Sequence, residues 1–190
     1  MKKEEMLSML GDIGWRCSKD EVGDCYCLMD VGKARVQIIP SIGRRSDHFR
    51  VSLTPSVSTE GFTKVAEFIL GENVDFEPII VSNEVPKKIA NISQSDIMRL
   101  SQDAILWANK QDLSNGLRLY RELPTNSKGA RPLRHLAALA LNGDVECLTN
   151  YRNNFVQGDR LGFVPYITSE IIDRAILAAQ EKGSIKGDGG

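Results

Sequence analysis

Histidine is nearly missing from this 190-residue chain, in which only His48 and His135 occur. There is also no Cys-x-x-Cys, no His-x-x-x-His, no Gly-x-Ser-x-Gly and no glycine-rich loop ending in Lys-Ser or Lys-Thr. These gaps remove the common zinc sites, the nucleophile elbow and the P-loop. Charge of one sign is lacking too: 24 basic and 25 acidic residues leave a net charge of −1. The basic excess that marks wholesale nucleic-acid or anionic-membrane binding is therefore absent. No apolar run approaches the roughly 18–20 residues that span a bilayer. Lys2 and Lys3 open like the basic region of a signal peptide, but Glu4, Glu5 and helical spacing follow them instead of an apolar stretch. The reading is a cytoplasmic protein with no membrane partner, nucleic acid disfavoured, and no metal or cofactor needed.

Hydrophobic residues make up 42% of the chain, enough to bury a core. The four cysteines are Cys17, Cys25, Cys27 and Cys147. Cys25 and Cys27 would share one face of a strand about 6–7 Å apart, which makes a bridge between them awkward. All four are expected to act as small buried hydrophobes in a reduced compartment.

The period of the apolar residues changes near residue 90. Met6, Met9, Leu10 and Ile13 lie on one face of a short helix over 4–13. Alternation over 25–29 and again over 34–39 gives two strands joined by a turn at Asp30-Val31-Gly32-Lys33. Residues 41–47 read as a loop carrying Arg44 and Arg45, and 49–54 as a third strand ended by Pro55. Phe62, Val65, Ala66 and Ile69 mark a helix stopped at Gly71, and Ile79–Val81 a short strand.

From Ser93 onward every strong signal is helical. Ser93 and Asp96 resemble a capping box before the stripe Ile97, Leu100, Ala104, Trp107 and Ala108. Helices follow around Leu113–Tyr120, from Pro132 to Asn142, after Asp144, and from Thr168. The spacing predicts an α+β protein, with an N-terminal antiparallel sheet and two helices followed by a C-terminal α-helical subdomain. The expected boundaries are 1–84 for the sheet part, 93–183 for the helical part and 184–190 for a disordered tail.

Three stretches carry candidate chemistry. Arg118, Arg121, Lys128, Arg131 and Arg134 surround His135, with only Glu122 opposing them between residues 113 and 143. Such an excess suits a phosphate or an acidic partner surface; a solvated helix face is the plainer alternative. The stretch also offers a second function, an RNA- or phospholigand-acting enzyme built on His135. Arg44, Arg45, Asp47 and His48 could handle a phosphodiester, although basic pairs in hairpin loops are common. Residues 156–167 form a long connection containing Asp159, Arg160, Phe163 and Tyr166. It either closes over the core or presents Phe163 and Tyr166 as aromatic anchors for a partner. Asp159, Arg160, Phe163, Tyr166, Arg118, Arg121, Arg131 and Arg134 are thus the candidate partner-binding residues; no residue is nominated as catalytic. Acids at Asp20, Glu21, Asp24 and Asp30, and at Glu72, Asp75, Glu77 and Glu84, read as solvated surface or as an acidic face.

The whole chain, with His135-Leu-Ala-Ala-Leu-Ala-Leu-Asn-Gly-Asp144 and Gly162-Phe-Val-Pro-Tyr-Ile167 as its most marked stretches, resembles bacterial toxin-immunity proteins of the contact-dependent growth inhibition type. That resemblance implies a non-catalytic binding protein whose protein partner is a cognate toxin domain, neutralised by occlusion; it transfers no site residues. The helix–strands–helix–strand order of residues 4–81 also resembles chaperones of type III secretion, which implies a secretion chaperone as a third reading.

Overall fold

The alternation over residues 16–59 builds a meander. In a computed structural model, which describes residues 1–187 with side chains through 181, α1 (Lys3–Asp12) precedes β1 (Arg16–Lys19), β2 (Cys25–Val31), β3 (Ala34–Arg44) and β4 (Phe49–Thr59). Helix α2 (Glu60–Leu70), β5 (Ile80–Val81), β6 (Lys87–Ile89) and α3 (Gln94–Asn109) follow. The chain then becomes helical, as α4 (Leu113–Arg121), α5 (Arg131–Asn142), α6 (Val145–Val156) and α7 (Ser169–Gly187). The protein is α+β, as its periodicity predicts. No described helix is long and apolar enough to cross a membrane.

The six strands lie in the order β1-β2-β3-β4-β5, with β6 also on β4, and every pairing is antiparallel. Gly32 adopts φ 61° in the two-residue turn between Val31 and Ala34, a conformation glycine reaches without steric cost. Where a loop over 41–47 is expected, β3 and β4 stay paired out to Arg44 and Phe49, and Arg45 N–H donates to His48 O (2.8 Å) to close the hairpin. Nor does Pro55 end β4. Its carbonyl accepts the Ser82 N–H (2.9 Å) on the side of the strand away from β3, so its missing N–H breaks no bond to β3.

The expectation of four free thiols is corrected. Strand β1, too short and polar to signal itself, sets Cys17 directly opposite Cys27, and the two form a disulfide across the strands. Cys25 and Cys147 are the free cysteines.

The contacts divide the chain into two compact units: residues 1–59 with 80–111, and residues 60–79 with 112–190. This departs from the expected break between 84 and 93. Helix α2 packs on α5 and α7 within the helical unit, while α3 packs on β4 and α1 within the sheet unit. The cause is visible in the residues. Phe62, Ala66 and Ile69 form a fully buried stripe on α2. On α3, Ile97, Leu100 and Ala104 bury their side chains, and Ser101 accepts a 2.8 Å hydrogen bond from Trp15 Nε1 inside the sheet unit. Val36, Ile38, Val51 and Val57 complete that core. Of the expected tail, 184–187 continues α7 and 188–190 lies outside the described residues.

Candidate functional site

The helical unit holds the residues the sequence makes conspicuous, and it engages most of them internally. His135 is 2% exposed. Its Nδ1–H donates to the Tyr120 carbonyl (2.8 Å), which leaves Nε2 to accept the Tyr151 hydroxyl (3.0 Å). Burial pushes its pKa below the ordinary imidazole value, against a smaller upward pull from the Tyr120 contact. Burial and a hydrogen bond to Cys147 push the Tyr151 hydroxyl up. No ring nitrogen remains for a substrate, which removes the geometric basis for an enzyme built on His135.

The basic stretch around it is largely paired. Arg134 meets Glu77 at 2.5 Å and lies over the Tyr120 ring at 5.9 Å. Burial alone would lower Arg134, but the adjoining Glu77 outweighs it and holds the guanidinium charged. Glu77, expected on an acidic surface, is buried instead. Arg118 is bound by Glu122 (2.6 Å) and by Asn115. Arg121, Lys128 and Arg131 form no ion pair among the described residues, and Arg131 is exposed at the first turn of α5.

The connection from 156 to 167 takes the core-closing form. Phe163 is 4% exposed and packs edge-on against Tyr151 and Phe155. Arg160 crosses the Phe155 ring at 5.1 Å and donates to the carbonyls of Val164, Pro165 and Ile167. Asp159 accepts the Leu161 N–H (2.8 Å), supporting a non-glycine φ of 52° there, and Thr125 Oγ1 donates to the Leu161 carbonyl. Tyr166 is 41% exposed, but its hydroxyl donates to Gly129 O (2.9 Å). That bond ties the loop to the segment just before α5, whose N-cap residue Ala130 makes no side-chain cap. Phe163 is thus a core residue and not a surface anchor, and the hydroxyl of Tyr166 is occupied.

The sheet unit contains a site the sequence reading missed. Asp103, Leu106, Trp107 and Lys110 fall at i, i+3, i+4 and i+7, so one face of α3 presents all four. Together with the segment Asn83–Lys87 they line an open groove of about 730 Å³. Val85 is 81% exposed and Leu106 55%, both large apolar side chains left in water. The rim is charged: Lys87 pairs with Asp103 (2.7 Å), and Glu84 and Lys110 flank it. Leu106 was the available signal, because it stands off the buried stripe of α3 and still belongs to an apolar pair with Trp107.

Comparison with known proteins gives one relation. A family model described as a family of unknown function, DUF6990, matches residues 2–180. No curated protein and no solved structure matches the chain.

Proposed function

We propose that this chain, which belongs to the DUF6990 family of unknown function, is a non-catalytic binding protein that neutralises a bacterial toxin domain by occluding it. The observation that carries the reading is the α3 groove. Val85, Leu106 and Trp107 offer an apolar seat with a charged rim, the composition of an energetic centre in a protein interface. Its occupant is an apolar side chain on a protruding loop of the toxin domain, flanked by polar residues that meet Glu84 and Lys110. The internal engagement of His135, Arg134 and Arg160 supports the same reading, because the residues best suited to chemistry are holding the fold.

The test mixes the purified chain with the toxin domain encoded by the adjacent gene. A tight one-to-one complex that silences the toxin, with the toxin's mass unchanged, is expected. Absence of a complex overturns the reading. So does turnover of a substrate by the chain alone, and so does capture of a secretion effector that stays active, as a chaperone would allow.

A further inference from the structure

At the β3–β4 hairpin the sheet carries charges that form no ion pair among the described residues. Arg50 stands directly opposite Lys88 on the neighbouring strand, and Gly43 completes the row on β3. Arg44 and Arg45 close the hairpin at the same end. All four cations are exposed, and none forms an ion pair among the described residues. The acid of the turn, Asp47, is engaged by His48 Nδ1 at 2.6 Å. Like charges directly opposite across an antiparallel pair destabilise it. Gly43 weakens the strand as well, and its conformation does not demand glycine. Its φ lies outside the left-handed region, and a Cβ there would meet nothing within 4 Å. On the same face the next row is Ser41 opposite Ser52, two short hydroxyls. Bare backbone, hydroxyls and the cations Arg50 and Lys88 in neighbouring rows form an approachable donor surface for oxyanions, with Arg44 and Arg45 at its hairpin end.

We infer that this end of the sheet, with Gly43, Arg50 and Lys88 in one row and Arg44 and Arg45 at the hairpin beside it, docks an acidic patch of a protein partner. The inference rests on the protein-binding reading above and adds the charge of the partner's surface. Three features favour carboxylates on a folded protein over a nucleic acid. The patch holds four cations, fewer than the 6–10 phosphate contacts of a typical polynucleotide footprint. Exposed Asp47 and Glu84 lie in segments bordering it, where a continuing polyanion would be repelled. Three of the four cations are arginine, whose fork binds a carboxylate through two parallel hydrogen bonds. Cations grouped this way steer an acidic partner into place more than they hold it.

The experiment is an amide NMR titration with two probes, a hexaglutamate peptide and a uridine decamer, at low and high salt. Hexaglutamate is expected to shift the amides of Gly43, Arg44, Arg50 and Lys88. Salt should reverse the effect, and R50S/K88S should bind about tenfold more weakly. The variant should melt no lower than the parent chain, since it removes a like-charge pair. A uridine decamer that binds this face more tightly than the peptide overturns the inference in favour of nucleic acid. Peptide shifts that fall elsewhere, that survive R50S/K88S, or that are absent at millimolar peptide also overturn it. Substitutions in the α3 groove leave this titration unchanged, so its failure and a failure to bind a toxin domain are separate results.

Discussion

The two units place their most conspicuous residues differently. In the helical unit, arginines and aromatics are drawn inward: Arg134 to Glu77, Arg160 to three carbonyls, Arg174 to the carbonyls of Ile69 and Leu70, Phe163 into the core. In the sheet unit, Val85 and Leu106 stay outward, and Arg44, Arg45, Arg50 and Lys88 are exposed with no ion pair among the described residues, although Arg16, Arg35, Lys87 and Arg99 are paired. Helix ends and long connections leave backbone carbonyls that need donors, and arginine side chains supply them. A sheet satisfies its own backbone, so the side chains on its open face are free to serve something else. Density of charge in the sequence is thus a poor guide to a binding surface. Arg121, Lys128 and Arg131 form no ion pair among the described residues either, so what distinguishes the sheet unit is that Arg50 and Lys88 stand unpaired directly opposite each other on neighbouring strands.

The sharpest way to break this contrast is to truncate one large apolar residue from each unit. Phe163→Ala should cost roughly 3–5 kcal/mol in denaturant melts, because it empties a buried aromatic site. Leu106→Ala should cost less than about 1 kcal/mol, because its side chain is already in water. Comparable losses would show that the groove is core or that the 156–167 loop is surface.

Next in size is the staple. Replacing Cys17 and Cys27 with serine opens a loop of 10 residues and should cost about 2–3 kcal/mol. Hydrogen exchange should then rise in β1 and β2 while α5 and α7 keep their protection. Uniform loosening of both units would contradict their separate packing.

Tyr166→Phe removes the hydrogen bond to the Gly129 carbonyl, just before α5, and should cost about 1 kcal/mol. A melt within error of the parent would mean that water replaces the hydroxyl and that Tyr166 is free for a partner after all.

The last contrast is with pH. His135 is neutral in the fold with its pKa depressed by burial, so below its ordinary value of about 6.5 the unfolded chain binds the extra proton. The stability this buried imidazole confers is complete above about pH 6.5 and is lost as the pH falls below it. Melts from pH 8 to 5 should show that loss in the parent chain, and His135→Gln should lack the same component. An identical pH profile in both would place the titration elsewhere.

Much of the architecture was legible in the sequence. The alternation of Val36, Ile38, Val51 and Leu53, the Ser93–Asp96 cap and the stripe ending at Gly143 report local periodicity and cap chemistry, which short windows carry. The missed features are long-range. Four residues of β1 acquire their strand state from β2, and the Cys17–Cys27 bridge exists only in that register. The position of α2 depends on which partner its buried stripe meets, α5 and α7, far along the chain. The site was harder still, because pairing of Arg134 with Glu77 spans 57 positions. No local pattern shows that one arginine is answered and another, such as Arg50, is not.

Calorimetry of the toxin domain that the proposed function calls for, against two double variants, tests the proposed location of the binding surface most directly. Val85→Ser with Leu106→Ala alters the sheet unit, and Arg118→Ser with Arg131→Ser alters the helical unit; thermal melts check that both remain folded. The first should weaken binding by at least about 30-fold, as loss of a central apolar anchor does, while the second should change it less than about threefold. The reverse order, with the arginine variant crippled and the groove variant unaffected, would contradict a binding surface on the sheet unit.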